Sequence, residues 1–401
     1  MPMLKQKTIY FAFLASTLAG GLFCGGCTTQ ENVVPENTSN GAKTHQEGMP
    51  SPRDDSATFV SAAPSNVMSQ GGLVRALGGA HVKLLTAGNH EIHLPMPQLA
   101  DAQVPVCYYI SATPRDAVTE FRLRTREDSN VVVSVLLKGE RNQEVQIDWS
   151  SVILIAKDSV TPNNSEPDQF LSATACVQSS AEEITKLAEE LWPENASVSD
   201  YVANIQRFVR DMKPVARPRS LDAEGILKSG ANGICTANAN LASALLRSKQ
   251  IASRSIAVIP PISRRLEMHR IVEYFDGGQW LTFDPSSLQI DVPMKPWQNV
   301  IMSKTTISDE NIAMKPRMST MVGCPYGQEL ELVTEGITLW GREFFWTIAK
   351  PIAEFDASDE AIRLAAEAWN RILEVGTLSQ GQVKAASAKN ANEFLDFLKT
   401  K

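Results

Sequence analysis

Histidine is scarce in this chain, with five in 401 residues, and His269 is the only one in the last three hundred. A metal centre built on several imidazoles therefore has nowhere to form in that part of the molecule. The one close pair sits earlier, in His90-Glu91-Ile92-His93. That stretch reads as a strand, where residues three apart point to opposite faces, so no metal site is expected there. Long basic runs are also missing, and the net charge is −7. Nucleic acid is excluded as an expected partner. Arg207, Arg210, Lys213, Arg217 and Arg219 form only a loose basic stretch, which reads as a solvated helix end.

Cysteine numbers six, and the first two lie in a segment outside the fold. Lys5 and Lys7 precede an apolar run, Ile9 to Phe23, too short for a comfortable membrane span. The run ends in Cys24-Gly25-Gly26-Cys27. Small residues before a cysteine resemble a bacterial lipoprotein signal, with Cys27 as the lipidated residue. Cys24 stands where such signals carry an aliphatic residue, so a simple secretory signal or an uncleaved anchor stays open. Each of these readings puts the body of the protein outside the cytoplasm, and lipidation would attach it to a membrane facing the periplasm or exterior. Cys107, Cys176, Cys235 and Cys324 would then remain. An oxidising compartment favours pairing, and Cys107 with Cys176, which flank one β-rich segment, is the expected disulfide.

Five segments follow from composition and periodicity. Residues 1–27 are the signal segment, and 28–72, rich in Ser, Thr, Asn, Pro and Gly, read as a disordered linker. Residues 73–178 read as a small β-rich domain. Phe121, Leu123 and Thr125 alternate with arginines, Val131–Leu137 is a β-branched run, and Val145, Ile147 and Trp149 alternate again. Residues 179–350 mix helices and strands. Ser179 with Glu182 and Ser197 with Asp200 are expected helix-capping boxes, and Ala237, Leu241, Ala244 and Leu245 mark a helix opening at Cys235. Residues 351–401 are expected to be helical, with Ile362, Ala365, Trp369, Ile372 and Leu373 on one face.

The chemistry concentrates in the fourth segment. A turn dipeptide, Asn232-Gly233, precedes Cys235, whose position at a helix N-terminus favours a thiolate. Further on, Asp276-Gly277-Gly278 is a hairpin signal between two apolar strands. A symmetric register about that turn sets His269 opposite Ser286, one diagonal step from Asp284 and on the same face. Thiol, imidazole and carboxylate in this order form a nucleophile, a base and its orienting group.

The span from about Ala223 to Pro285 resembles the transglutaminase-like superfamily. It has a helix rich in Ala and Leu opening at Cys235, an Arg-bearing strand, then Met268-His269-Arg270, the Asp-Gly turn, Trp280 and Asp284-Pro285. The resemblance implies an α+β fold with a papain-like core, preceded here by the β-rich domain. It implies Cys235 as nucleophile, His269 as acid–base and Asp284 as its orienting partner. Arg270 departs from the family, which has a small residue after the histidine, and by parity it points away from the site. The implied activity is an exported cysteine peptidase or amidase, cleaving a peptide or isopeptide amide through a thioester. An amine-accepting transglutaminase and a non-catalytic binding or scaffold protein on the same fold are the alternatives. No metal or organic cofactor is implied; the expected partners are a peptide or protein amide and, through lipid on Cys27, a membrane.

Overall fold

Long strands with one apolar face bury it by pairing two such sheets face to face. The computed structural model describes residues 70–100, 102–126, 130–157, 167–214, 220–229, 231–232, 235–260, 269–311, 330–340, 345–378, 392–393 and 396. Cys24, Cys27, Cys324, the signal segment and nearly all of the expected linker lie outside them. Six strands come first: β1 (Gly72–Leu84), β2 (Gly88–Pro95), β3 (Gln103–Thr113), β4 (Val118–Thr125), β5 (Val131–Gly139) and β6 (Glu144–Ile155). β1 and β6 run antiparallel from Gly72↔Ile155 to Lys83↔Glu144, and β3 adds to the far side of β6. β2, β5 and β4 form a second antiparallel sheet. Val82, Leu84 and Trp149 from the first sheet join Ile92, Leu94, Val133 and Val135 from the second in one core. Gly78 is required there, because a Cβ would run into the Trp149 ring.

The chain then becomes helical through α1 (Glu182–Leu191) and α2 (Val198–Asp211). Ser197 and Asp200 make the expected capping box on α2. Ser179 does not cap α1. That helix starts at Glu182 with Ala181 at the cap position, so Ser179 lies too far upstream to reach its first N–H groups. Short parallel strands β7 (Lys213–Pro214) and β8 (Ala231–Asn232) flank α3 (Ala223–Ser229) and lead to α4 (Cys235–Ser248). α4 is buried on nearly every side, as its Ala- and Leu-rich sequence requires, and packs against α1, α2 and α3. Its remaining face meets a sheet of β9 (Ser253–Ile259), β10 (His269–Asp276), β11 (Gln279–Phe283) and β12 (Val300–Lys304), in the order β11-β10-β9-β12. α5 (Ile307–Glu310) follows and supplies Glu310, which accepts from both terminal nitrogens of Arg247 on α4 at 2.7 Å. Both side chains of this pair are buried. The architecture is α+β.

The C-terminal part returns to the sandwich. β13 (Glu331–Leu332) joins β2, β14 (Ile337–Leu339) joins the end of β1, and β15 (Phe345–Glu354) pairs with β1 along most of its length. The stretch from 345 to 354, whose last residues were expected to be helical, is therefore a strand. The ladder breaks register between Leu73 and Val74, opposite Pro351, which has no N–H to give. α6 (Asp359–Val375) is the expected amphipathic helix and lies on β3, with the Trp369 and Tyr108 rings 5.8 Å apart. β16 (Thr377–Leu378) closes the edge of the second sheet beside β4. No helix among the described residues is long and apolar enough to cross a membrane.

The expected disulfide is corrected by this layout. Cys107 and Cys176 are separate buried thiols. Cys107 packs within the sandwich core, whereas Cys176 packs in the distinct cluster around α4, so flanking the same β-rich segment did not bring them together in space.

Candidate active site

Cys235 is the first residue of α4, where backbone N–H groups lack helical acceptors and the helix dipole favours an anion. The residue is partly exposed. His269 opens β10 and pairs with Val258 of β9. Asp284 is the first residue past β11. The hairpin joining these strands turns on Gly277 and Gly278 with φ of 58° and 84°, the positive pair that a tight two-residue turn demands. Its register runs from Asp276↔Gln279 to Val272↔Phe283, which extended brings His269 opposite Ser286, as the sequence pattern predicts.

The three residues converge. His269 Nε2 donates to Asp284 Oδ2 at 2.8 Å, which leaves Nδ1 for the sulfur, and Cys235 lies close enough for thiol and ring to act on each other electrostatically. The other oxygen of Asp284, Oδ1, accepts the Ser286 N–H at 2.7 Å. Each ring nitrogen thus has one partner, the arrangement that passes a proton between thiol and ring while the carboxylate fixes the ring's orientation.

Residues 178–285 match the family model of the transglutaminase-like superfamily. These residues are a transglutaminase-like core. No curated protein is significantly similar to the whole chain in sequence. Among solved structures, the chain is similar to "a Putative Cysteine Protease from Cytophaga hutchinsonii", at 14% identity and a TM-score of 0.47, over 71% of this chain and 99% of that one. It is also similar to "a Putative Protease from Parabacteroides distasonis", at 13% identity and a TM-score of 0.24, over 62% and 69%. Both scores are low, and the assignment rests on the family match.

Electrostatics within the transglutaminase-like core favour a charged pair. Burial opposes ionisation of Cys235, but the His269 hydrogen bond and charge outweigh it, helped by the Arg270 N–H and guanidinium, and the thiol is held below its ordinary value. Burial likewise opposes the His269 imidazolium. The hydrogen bonds and charges of Asp284 and Cys235 overcome this and push the ring up to about 10. Both shifts act in the same sense, toward a thiolate beside an imidazolium.

Several contributors carry no motif in the sequence. Gln206 on α2 donates through Nε2 to the carbonyls of Asp284 and Gln289, at 2.9 Å each. Asn238, one turn into α4, donates to Ser286 Oγ at 2.9 Å. A single polar residue in the apolar stripe of Tyr201, Val202, Ile205 and Val209 was the one visible signal for Gln206. Arg270, read as pointing away, is buried, and its guanidinium donates to Thr305 Oγ1 at 3.1 Å. Its charge nonetheless acts on the sulfur. Glu273 does not join the site: it is buried in an ion pair with Arg254 at 2.8 Å. Trp280 packs in the core beside Phe170 and Arg254.

His90 and His93 are engaged elsewhere. The His90 ring nitrogens meet the Glu335 and Thr86 carbonyls, at 3.2 and 3.0 Å, and those of His93 meet Glu331 and Glu91, both at 3.0 Å. Among the described residues no group of three or more His, Cys, Asp or Glu side chains is arranged to hold a metal ion.

Proposed function

We propose that the protein is an exported cysteine hydrolase that cleaves a peptide or isopeptide amide through a thioester. The observation that carries the reading is the convergence of Cys235, His269 and Asp284, with the carboxylate 2.8 Å from one ring nitrogen and the other nitrogen left to the sulfur. The Cys235 thiolate attacks the amide carbonyl carbon, and the carbon–nitrogen bond breaks as His269 gives its proton to the departing amine. The N–H of Cys235 at the helix start is suited to donate to the developing oxyanion. Water then attacks the thioester, His269 takes its proton, and collapse releases a carboxylic acid and restores the pair. A primary amine in place of water would give a new amide by the same steps.

Export and lipid attachment at Cys27 belong to this reading and rest on the N-terminal sequence alone. Membrane attachment would bring the site to amides of the envelope or exterior.

The test is the pH dependence of iodoacetamide labelling at Cys235, read by peptide mass spectrometry in wild type and His269→Ala. Fast labelling near about pH 6, lost in the variant, supports the enzyme. Labelling only near the range of an ordinary thiol, unchanged by the variant, overturns it in favour of a binding protein on this fold.

A further inference from the structure

We infer that Gln206 is a positioning residue for the Asp284 carboxylate, acting from α2 by closing the neck of the loop that bears it. This rests on the enzyme reading above. Asp284 lies one residue beyond the β10–β11 ladder, whose last pair is Val272↔Phe283, so no strand pairing locates it. Its placement falls to the loop that follows. Gln206 Nε2 uses its two hydrogens on the carbonyls of Asp284 and Gln289, at 2.9 Å each. Because an amide NH2 is a planar fork, the two carbonyls are held at a set spacing and the loop between them is pinned at both ends. The Asp284 carbonyl also accepts the Ser287 N–H at 3.1 Å. With that peptide plane fixed, the side chain leaves its Cα in the direction that meets His269.

Stability alone gives a weaker account of this glutamine. Gln206 is fully buried on the apolar face of α2, and its Oε1 has no hydrogen-bond partner among the described residues. Leucine or methionine would fill the volume without burying an unmatched acceptor. What neither offers is the paired donor aimed at the Asp284 loop.

The experiment uses the full chain and iodoacetamide. Labelling rates at Cys235 are measured from about pH 5 to about 9, with thermal midpoints alongside, in wild type, Gln206→Met, Asp284→Asn and the double variant. The expected result is that Gln206→Met slows labelling at pH 6 roughly tenfold, moving the acid side of the profile toward that of an ordinary thiol. In the Asp284→Asn background the same change adds nothing, because the group it positions is already lost. If the methionine variant does not fold, Gln206→Asn, which keeps an amide but reaches one carbonyl at most, enters the same comparison. A wild-type profile in Gln206→Met overturns the inference, as does an equal slowing in both backgrounds, which is what a general packing role produces. A wild type that labels like an ordinary thiol overturns the enzyme reading itself, and this inference with it.

Discussion

Asn238 on the nucleophile helix donates to Ser286 Oγ at 2.9 Å, joining the helix that starts at Cys235 to the loop that starts at Asp284. Asn238 stands three residues after Cys235, so it shares that side of the helix, and Ser286 gives its N–H to the Asp284 carboxylate. Nucleophile and orienting carboxylate are thus connected by a short polar path that does not pass through the imidazole. Such a path fixes their separation whether or not His269 carries a proton.

That path makes Asn238→Ala a test of geometry as well as of stability. The side chain is buried, and its loss leaves Ser286 Oγ without this donor. A stability loss of about 1–3 kcal/mol is expected in urea unfolding. Labelling of Cys235 at pH 6 should slow as the His269–Asp284 alignment loosens. A variant that loses stability while labelling at the wild-type rate would show that the contact serves the fold alone.

Replacing Cys235 by alanine isolates the histidine. His269 keeps Asp284 and loses the thiolate, so its pKa should fall below the value of about 10 reached in the pair yet stay above its ordinary value. The sign then follows from linkage. A histidine whose folded pKa is raised adds stability that is complete below about 6.5 and is lost as pH rises through the folded value. Cys235→Ala should therefore lose stability across that window in urea unfolding at stepped pH, and the further change Asp284→Asn should flatten the curve. A flat curve in Cys235→Ala would mean that Asp284 does not hold the imidazolium.

How much of this was legible in sequence depends on the range of each contact. The His269–Asp284 alignment was, because a two-glycine turn sets the register of both strands and the distance between them is local. The helix at Cys235 was also legible, since Ala and Leu at helical spacing leave it no other use. The return of Phe345–Glu354 to β1 was not, because its partner lies far back in the chain and Pro351 obscures the strand. Cys107 and Cys176 misled for a different reason: they flank one β-rich segment of the sequence yet belong to different cores. Gln206 was silent because its meaning lies in two distant carbonyls, and a backbone carbonyl leaves no trace in residue identity.

Arg270 carries its own test. Arg270→Met keeps much of the side-chain volume and removes a buried cation that favours the Cys235 thiolate. Labelling at pH 6 should slow several-fold, less than in His269→Ala, because His269 is the larger influence on the sulfur. Its N–H, which also serves the sulfur, is untouched by the substitution. A slowing equal to that of His269→Ala would mean that the guanidinium, not the imidazole, governs the thiol.

The final expectation concerns the ion pair that anchors the far end of α4. Arg247 and Glu310 are both buried, with two hydrogen bonds of 2.7 Å, and Arg247 also donates to the Ser172 and Ser253 carbonyls. Burial disfavours the Glu310 carboxylate and its pKa is raised, although Arg247 and Thr174 oppose the shift. Removing the acid strands a guanidinium away from water, so Glu310→Ala should cost about 3–5 kcal/mol in urea unfolding. The contrast is Lys249–Glu189, a 2.6 Å pair whose glutamate is largely exposed. Glu189→Ala should cost no more than about 1 kcal/mol, and less in high salt. Equal losses from the two substitutions would mean that burial does not set the worth of the Arg247 pair. A large loss confined to Glu310→Ala would place the anchoring of the nucleophile helix at its C-terminal end, the end opposite the reacting sulfur.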